Sequence, residues 1–448
     1  MHMSSVLARR TQFGRPVVHG MHTVLRALDG LAASSPSLPF PSRLTVRFPA
    51  PVYVDDTVAV YFVERTDRQL RVQARVDSTT TADLSIVPSD IEGPRGNPSL
   101  DPVDSRVVCR ELALAEMAGR SGTVAPATTA NEIRSYFPDA SRWLGVERVG
   151  ALLGLSRLVG MECPGLHSLF YAFTIEFPVA GTPPSLQYQV ASVDDRFRML
   201  KIDVHGLGVR GRVEAFARHP PIGQKSIKEL STVVQPKEFA GQRALIVGGS
   251  RGLGELTAKL IAAGGGHPVI TYAIGKDDAE RVGAEIRQWG ADCDILKYDV
   301  RVAPEQQLNL RSGPVSHLYY YATCQIVGRR TKEFDSATLE EFLQFYVRGF
   351  YDLCAALRKP SKQTISAFYP SSVFVEERPR NMTEYAMAKA AAEVLCCDLN
   401  LSWPTVHITS IRLPRLLTDQ TSTVVPMEHA NSVDTILPIV REVQRHRF

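Results

Sequence analysis

The run Ile246-Val-Gly-Gly-Ser-Arg-Gly-Leu-Gly254 constrains this chain more than any other segment. An apolar stretch, Ala244 to Val247, leads into it, and a helix-like stretch, Glu255 to Ala263, leads out. Strand, glycine-rich turn and helix in that order open a dinucleotide-binding unit. Gly248, Gly252 and Gly254 would let the backbone turn tightly and approach a pyrophosphate at the helix N-terminus, with Ser250, Arg251 and Leu253 completing the contact. Far downstream, Tyr385-Ala-Met-Ala-Lys389 sets a phenol and an amine one turn apart on a helix face, and Ser372 stands thirteen residues before the tyrosine.

Those residue types suit acid/base work on a carbonyl. A tyrosine ionises near pH 10, so proton transfer near neutrality needs a shift of roughly three units, about 4 kcal/mol. The ammonium of Lys389 is expected to supply part of that shift by stabilising the phenolate, and Ser372 to hold the substrate carbonyl. Together with the glycine turn, the pattern resembles the short-chain dehydrogenase/reductase family over residues 238–448. The resemblance implies an α/β Rossmann-type doubly wound parallel sheet and the catalytic set Ser372, Tyr385 and Lys389, with Lys389 also on the nicotinamide ribose. It places Asp299 and Val300 against the adenine and Ala322 among the cofactor contacts. Val269 to Tyr272 reads as the second strand; no acidic residue ends it, and Arg251 suits a 2'-phosphate, so NADPH (NADP) is expected over NADH.

Departures from the family pattern are specific. The threonine before the first glycine is Val247, the Asn-Asn-Ala-Gly run reads Tyr320-Tyr321-Ala322-Thr323, and Pro-Gly after the sixth strand reads Pro414-Arg415. The helical asparagine, which in the family holds a water for the proton relay, reads Tyr346. Proton delivery is therefore the step on which this chain departs most.

At the other end, His2, Arg9-Arg10, Phe13-Gly14, Pro16 and His19-Gly20-Met21 keep the spacing of the hydration motif of MaoC-like hot-dog enoyl hydratases, which the segment resembles. The resemblance makes His2 catalytic and the backbone N–H of Gly20 the oxyanion donor for an acyl thioester. The aspartate of the motif would lie five residues before His2, ahead of Met1, so the sequence is expected to begin inside the motif, with the module N-terminally truncated and incomplete.

The first half repeats itself. A helix over Val18 to Leu31, a strand over Leu44 to Phe48 and strands over Val58 to Phe62 and Leu70 to Val76 recur as Val146 to Val159, Ala172 to Phe177, Leu186 to Val190 and Met199 to Val204, with Asp67-Arg68 and Asp195-Arg196 at matching turns. This predicts an α+β double hot-dog: residues 1–104 and 105–222 as the two repeats, Ile91 to Ser105 joining them, and 223–237 as a linker within the Pro-rich run His219 to Phe239. Gly154, Ser156, Gly160, Cys163, Pro164 and Gly165 make a small-residue surface that suits close helix-to-sheet packing first and an acyl tunnel second, while His167 and Ser168 offer no evident partner.

No basic run interleaved with aromatics suggests nucleic acid, a net charge of +4 suits an ordinary solvated surface or else acidic carriers, and the seven scattered cysteines suggest reduced thiols with no metal site in a cytoplasmic protein. No apolar run suggests a membrane. The leading expectation is an NADPH-dependent 3-oxoacyl-thioester reductase fused to an (R)-3-hydroxyacyl dehydratase/enoyl hydratase module, with substrate carried on acyl carrier protein or CoA, in a homo-oligomer. The alternatives are a non-catalytic acyl-binding or assembly protein with degenerate modules, and a reductase of a polyketide or sugar intermediate, to which Phe374 to Arg380 would supply contacts.

Overall fold

The computed structural model describes residues 2, 4–66, 68–90, 108–125, 128–178, 182–308, 313–326, 334–359, 364–423 and 427–445. The connection expected over Ile91 to Ser105 lies outside them, as do Met1 and Asp67. The chain forms two compact units, the first of residues 1–9, 15–220 and 423–427, the second of 10–14, 221–422 and 428–448.

In the first unit, the strands are β1 (Pro41–Arg47), β2 (Ala59–Arg65), β3 (Leu70–Val76), β4 (Thr79–Pro88), β5 (Ser121–Val124), β6 (Ser168–Glu176), β7 (Leu186–Asp194), β8 (Met199–Gly206) and β9 (Val209–Ala217). They form one antiparallel sheet in the order β2-β3-β4-β1-β6-β9-β8-β7-β5. Outward from the β1–β6 seam, β4, β3 and β2 mirror β9, β8 and β7, which is the internal repeat expressed as structure. Each repeat lays one helix on the sheet. Gly20–Ser34 buries Met21, Val24, Leu25, Leu28 and Leu31, a spacing of three and four that makes one apolar stripe. Val146–Arg157 buries Val149, Leu152 and Leu155 in the same core. The sheet answers with alternation: Leu186, Tyr188 and Val190 of β7 point inward while their neighbours are exposed. Two helices wrapped by one antiparallel sheet are the double hot-dog that the sequence predicted.

The second unit holds β10 (Arg243–Val247), β11 (His267–Tyr272), β12 (Asp294–Lys297), β13 (His317–Tyr320), β14 (Ile365–Ser372) and β15 (Val406–Leu413), all parallel, in the order β12-β11-β10-β13-β14-β15. The order reverses between β10 and β13. In a doubly wound sheet that crevice is where a ligand sits, outside the carboxyl ends of the strands. β14 is buried along its whole length, which suits a strand covered on both faces.

Residues 223–237, expected as a linker, are instead part of this unit's core. Ser226 and Glu229 form a capping box on the short helix Ile227–Leu230, and Ile227, Leu230 and Val234 pack into the cluster that holds Phe239 and Leu256. Apolar residues at i, i+3 and i+7 inside a polar, Pro-flanked run carry that packing.

Among the described residues, no helix is long and apolar enough to cross a membrane, and no group of three or more His, Cys, Asp and Glu is placed to hold a metal ion.

Candidate active sites

The glycine turn follows β10 at the reversal point. Gly248 and Gly252 both have positive φ, 79° and 57°, which L side chains adopt with strain. Gly254 is required for a different reason: a Cβ there would lie 2.3 Å from the carbonyl oxygen of Gly248. One at Gly248 would meet the Tyr321 carbonyl at 3.1 Å and the Ala322 nitrogen at 3.4 Å. The turn thus leaves little room for side chains at Gly248 and Gly254, at the amino end of the helix Gly252–Ala263, and it fits a dinucleotide pyrophosphate. Ser250 is buried in the turn and Leu253 packs against the core of the unit.

Arg251, the N-cap of that helix, lies 3.6 Å from the carboxylate of Asp419. Both line a cavity of about 430 Å³ with Arg10, which pairs with the buried carboxylate of Asp278. A phosphate at Arg251 would compete with Asp419, a rival that the sequence did not reveal. Asp299 follows β12, and its carboxylate is held below the ordinary range by Arg301, whose Nε and Nη2 donate at 2.9 and 2.7 Å. Val300 is buried beside Gly349.

Ser372 ends β14, while Tyr385 and Lys389 lie one turn apart on the helix Thr383–Ser402. The three converge: Tyr385 is hydrogen-bonded with Ser372, and all are buried. Lys389 Nζ donates to the Pro370 carbonyl at 2.6 Å and sits 5.9 Å from the centroid of the Tyr385 ring. Burial governs both ionisations. It pushes Tyr385 up to about 12, against the hydrogen bond from Ser372, and takes Lys389 down to about 7. The rise of Tyr385 comes from its own burial, which outweighs the Ser372 hydrogen bond, and Lys389, itself desolvated, does not lower it here.

The tyrosines that replace the family's asparagines are built into the framework. The Tyr321 hydroxyl lies 2.8 Å from that of Thr257 on the helix after the glycine turn. The Tyr320 hydroxyl donates at 2.6 Å to the carbonyl of Phe345, in the π-helical turn Gln344–Arg348. Tyr346, in the same turn, sets its hydroxyl 2.6 Å from that of Thr323 and its ring face 4.1 Å from Lys389 Nζ. Arg415, in place of the glycine, donates to the Thr421 carbonyl at 2.8 Å.

In the first unit, His2 and Gly20 are brought together by His19. The His2 and His19 rings stack with centroids 3.6 Å apart, and His19 is the N-cap of the helix that Gly20 begins. The N–H of Gly20 is one of the four that a helix leaves without an internal acceptor. The Phe48 ring lies 2.8 Å from where a Cβ on Gly20 would be. His2 Nδ1 donates to the Val17 carbonyl at 2.7 Å, so a neutral ring carries its lone pair on Nε2. Burial lowers the pKa of His2 and favours that neutral form, with the Arg218 cation adding to it. His19 Nδ1 lies 3.4 Å from Ser156 Oγ on the helix of the second repeat. Burial and His2 push His19 down to about 4, although its surface stays open to solvent. His167 does have a partner: Glu111 Oε1 lies 2.9 Å from its Nε2, and Arg218 N donates to its carbonyl at 2.7 Å. Arg218 and Glu111 escaped sequence reasoning, which also read Ser156 only among the small residues, because only the sheet and helix packing bring them to these histidines.

Residues 242–429 match the short chain dehydrogenase family, and residues 1–85 match the MaoC like domain. A short chain dehydrogenase/reductase of Cryptosporiopsis sp. is 34% identical over 88 residues, covering 20% of this chain and 33% of that protein. The 3-oxoacyl-acyl-carrier-protein reductase FabG of Aggregatibacter actinomycetemcomitans is 28% identical over 120 residues, covering 26% of this chain and 50% of that protein. The chain thus spans a third and a half of the lengths of these two curated relatives. Among solved structures, a short chain dehydrogenase from Burkholderia cenocepacia in complex with NADP superposes with a TM-score of 0.41 at 21% identity, over 46% of this chain and 91% of that one.

Proposed function

We propose that this chain, a short-chain dehydrogenase/reductase domain joined to a MaoC-like domain, is an NADPH-dependent reductase of 3-oxoacyl thioesters whose MaoC-like domain binds acyl thioesters. The observation that carries the reading is the convergence of Ser372, Tyr385 and Lys389 in one buried site of the unit whose glycine turn leaves only backbone facing a pyrophosphate. Gly248, Gly252 and Gly254 would hold the pyrophosphate, Arg251 the 2'-phosphate and Lys389 the nicotinamide ribose; the bound cofactor supplies hydride to the substrate carbonyl carbon. Ser372 donates a hydrogen bond to the ketone oxygen. Tyr385, whose raised pKa keeps it protonated, delivers its proton to that oxygen as negative charge develops there. The relative named for 3-oxoacyl-acyl-carrier-protein reduction supports the substrate class.

In the MaoC-like domain, Gly20 N–H would polarise the thioester carbonyl and His2 Nε2 would act as the base for water. The group on His2 Nδ1 is a backbone carbonyl, which fixes the tautomer but carries no negative charge to stabilise the imidazolium as a carboxylate would. NADPH consumption with acetoacetyl-CoA tests the reductase: Tyr385→Phe should abolish it and leave NADPH binding intact, whereas Lys389→Ala should damage both.

A further inference from the structure

Lys389 is a buried cation whose surroundings are unusual in one respect. Nζ has three protons to place. One goes to the Pro370 carbonyl, and the other directions meet aromatic faces, with the centroids of Tyr346 at 4.1 Å, Tyr369 at 4.9 Å and Tyr385 at 5.9 Å. Among the described residues, no carboxylate lies within ion-pair distance of it. Glu393, the acidic group that acts on it through space, has both oxygens taken at 2.7 Å by Arg412, and the remaining titratable groups that act on it are the thiols of Cys324 and Cys396. In a dry site, the negative face of an aromatic ring is one of the few features that favours a cation over a neutral amine.

Of the three rings, that of Tyr346 is nearest. It is 1% exposed, stacked on Phe342 at 5.7 Å and anchored by the hydroxyl contact with Thr323. It also meets the Tyr385 ring nearly edge-on, 5.6 Å between centroids and 85° between planes. One side chain therefore touches both groups of the proposed proton-transfer pair, at the position where the resembled family has asparagine.

We propose that Tyr346 is a positioning residue for the reductase: its ring face seats the ammonium of Lys389, and the same ring fixes the orientation of Tyr385. The proposal rests on the reductase reading above. A water-holding amide is replaced by an aromatic seat, so the charge of Lys389 near neutrality depends on the ring and not on the Tyr346 hydroxyl.

The test is the pH dependence of NADPH binding and of ketone reduction in the full chain, for wild type, Tyr346→Phe, Tyr346→Leu and Tyr346→Asn, each checked for folding by its melting transition. Removing the ring withdraws stabilisation from the cation, so Lys389 should deprotonate at lower pH. In Tyr346→Leu, the alkaline limb of NADPH binding should move down by about one unit, and kcat should fall about tenfold with little change in KM for the ketone. Tyr346→Phe should restore the wild-type limb and rate, which a role for the hydroxyl would not allow; if the leucine variant does not fold, Phe and Asn carry the comparison. An unmoved limb in Tyr346→Leu or Tyr346→Asn, or loss of function in Tyr346→Phe equal to theirs, would overturn the proposal. So would a faster enzyme from Tyr346→Asn, which would make the ring an obstacle to proton delivery. A wild type that binds NADPH but reduces no ketone sinks the reductase reading, and the limb of NADPH binding still decides whether the ring governs Lys389.

Discussion

Burial takes Lys389 from an ordinary 10.5 down to about 7, and the consequence for stability has a definite sign. Between those two values the unfolded chain binds the extra proton, so wild-type stability rises with pH through that window and the cost of burying the charge is full below it. Lys389→Met should therefore melt above wild type below pH 7, with the difference shrinking toward pH 10.5; a pH-independent difference would contradict the assignment. Arg251 makes the second case. If it recognises a 2'-phosphate, Arg251→Ala should narrow the NADPH over NADH preference by roughly 1.5 to 3 kcal/mol in a fluorescence titration. Because Asp419 faces it at 3.6 Å, Asp419→Asn should tighten NADPH binding, and weaker binding would show that the carboxylate positions the arginine instead of competing for it. The glycines, Ser372, Tyr385 and Lys389 were legible because the chemistry fixes their types and their spacing. The contacts of Tyr346 with Lys389, of Arg251 with Asp419 and of His167 with Glu111 were not, since each joins residues distant in the chain that only the folded sheet and helices bring together.

Among the elements, helices with an apolar stripe and strands with clean alternation could be read directly, and β3 occupies the residues predicted for it. β4 escaped because it begins with three threonines, although Thr81, Ala82, Leu84 and Ile86 are buried. β9 alternates Val209, Gly211, Val213, Ala215 and Ala217 with charged or larger residues; a glycine and two small residues hide that period from hydropathy. Gly211 stands there because a Cβ would lie 2.0 Å from the Thr174 carbonyl on β6. Glycines within helices separate two roles. Gly254→Ala drives a methyl against the Gly248 carbonyl and should destabilise by about 1 to 3 kcal/mol while abolishing NADPH binding. Gly30→Ala, in the helix Gly20–Ser34 with nothing within 4 Å of the new methyl, should stabilise by about 0.5 to 1 kcal/mol. Melting curves of the two variants check both, and a destabilised Gly30→Ala would mean that the new methyl meets a neighbour after all.

Taken as a whole, the chain joins a double hot-dog to a doubly wound sheet, and the order of elements makes both architectures readable in the sequence. The sequence left the chemistry of each unit less certain than its fold, because ionisation follows from burial. With a backbone carbonyl on His2 Nδ1, enoyl-thioester hydration should run about 10²-fold or more below that of a histidine backed by an acid. Crotonyl-CoA hydration with and without His2→Ala measures this, and brisk hydration that survives the substitution would place the base elsewhere. In the other unit, the decisive measurement is the rate of NADPH oxidation by acetoacetyl-CoA, compared between wild type and Tyr385→Phe at equal NADPH occupancy. Turnover is expected in the wild type and is lost in Tyr385→Phe; NADPH binding without oxidation in the wild type, or equal rates in the two proteins, would rule out Tyr385 as the proton donor of a reductase.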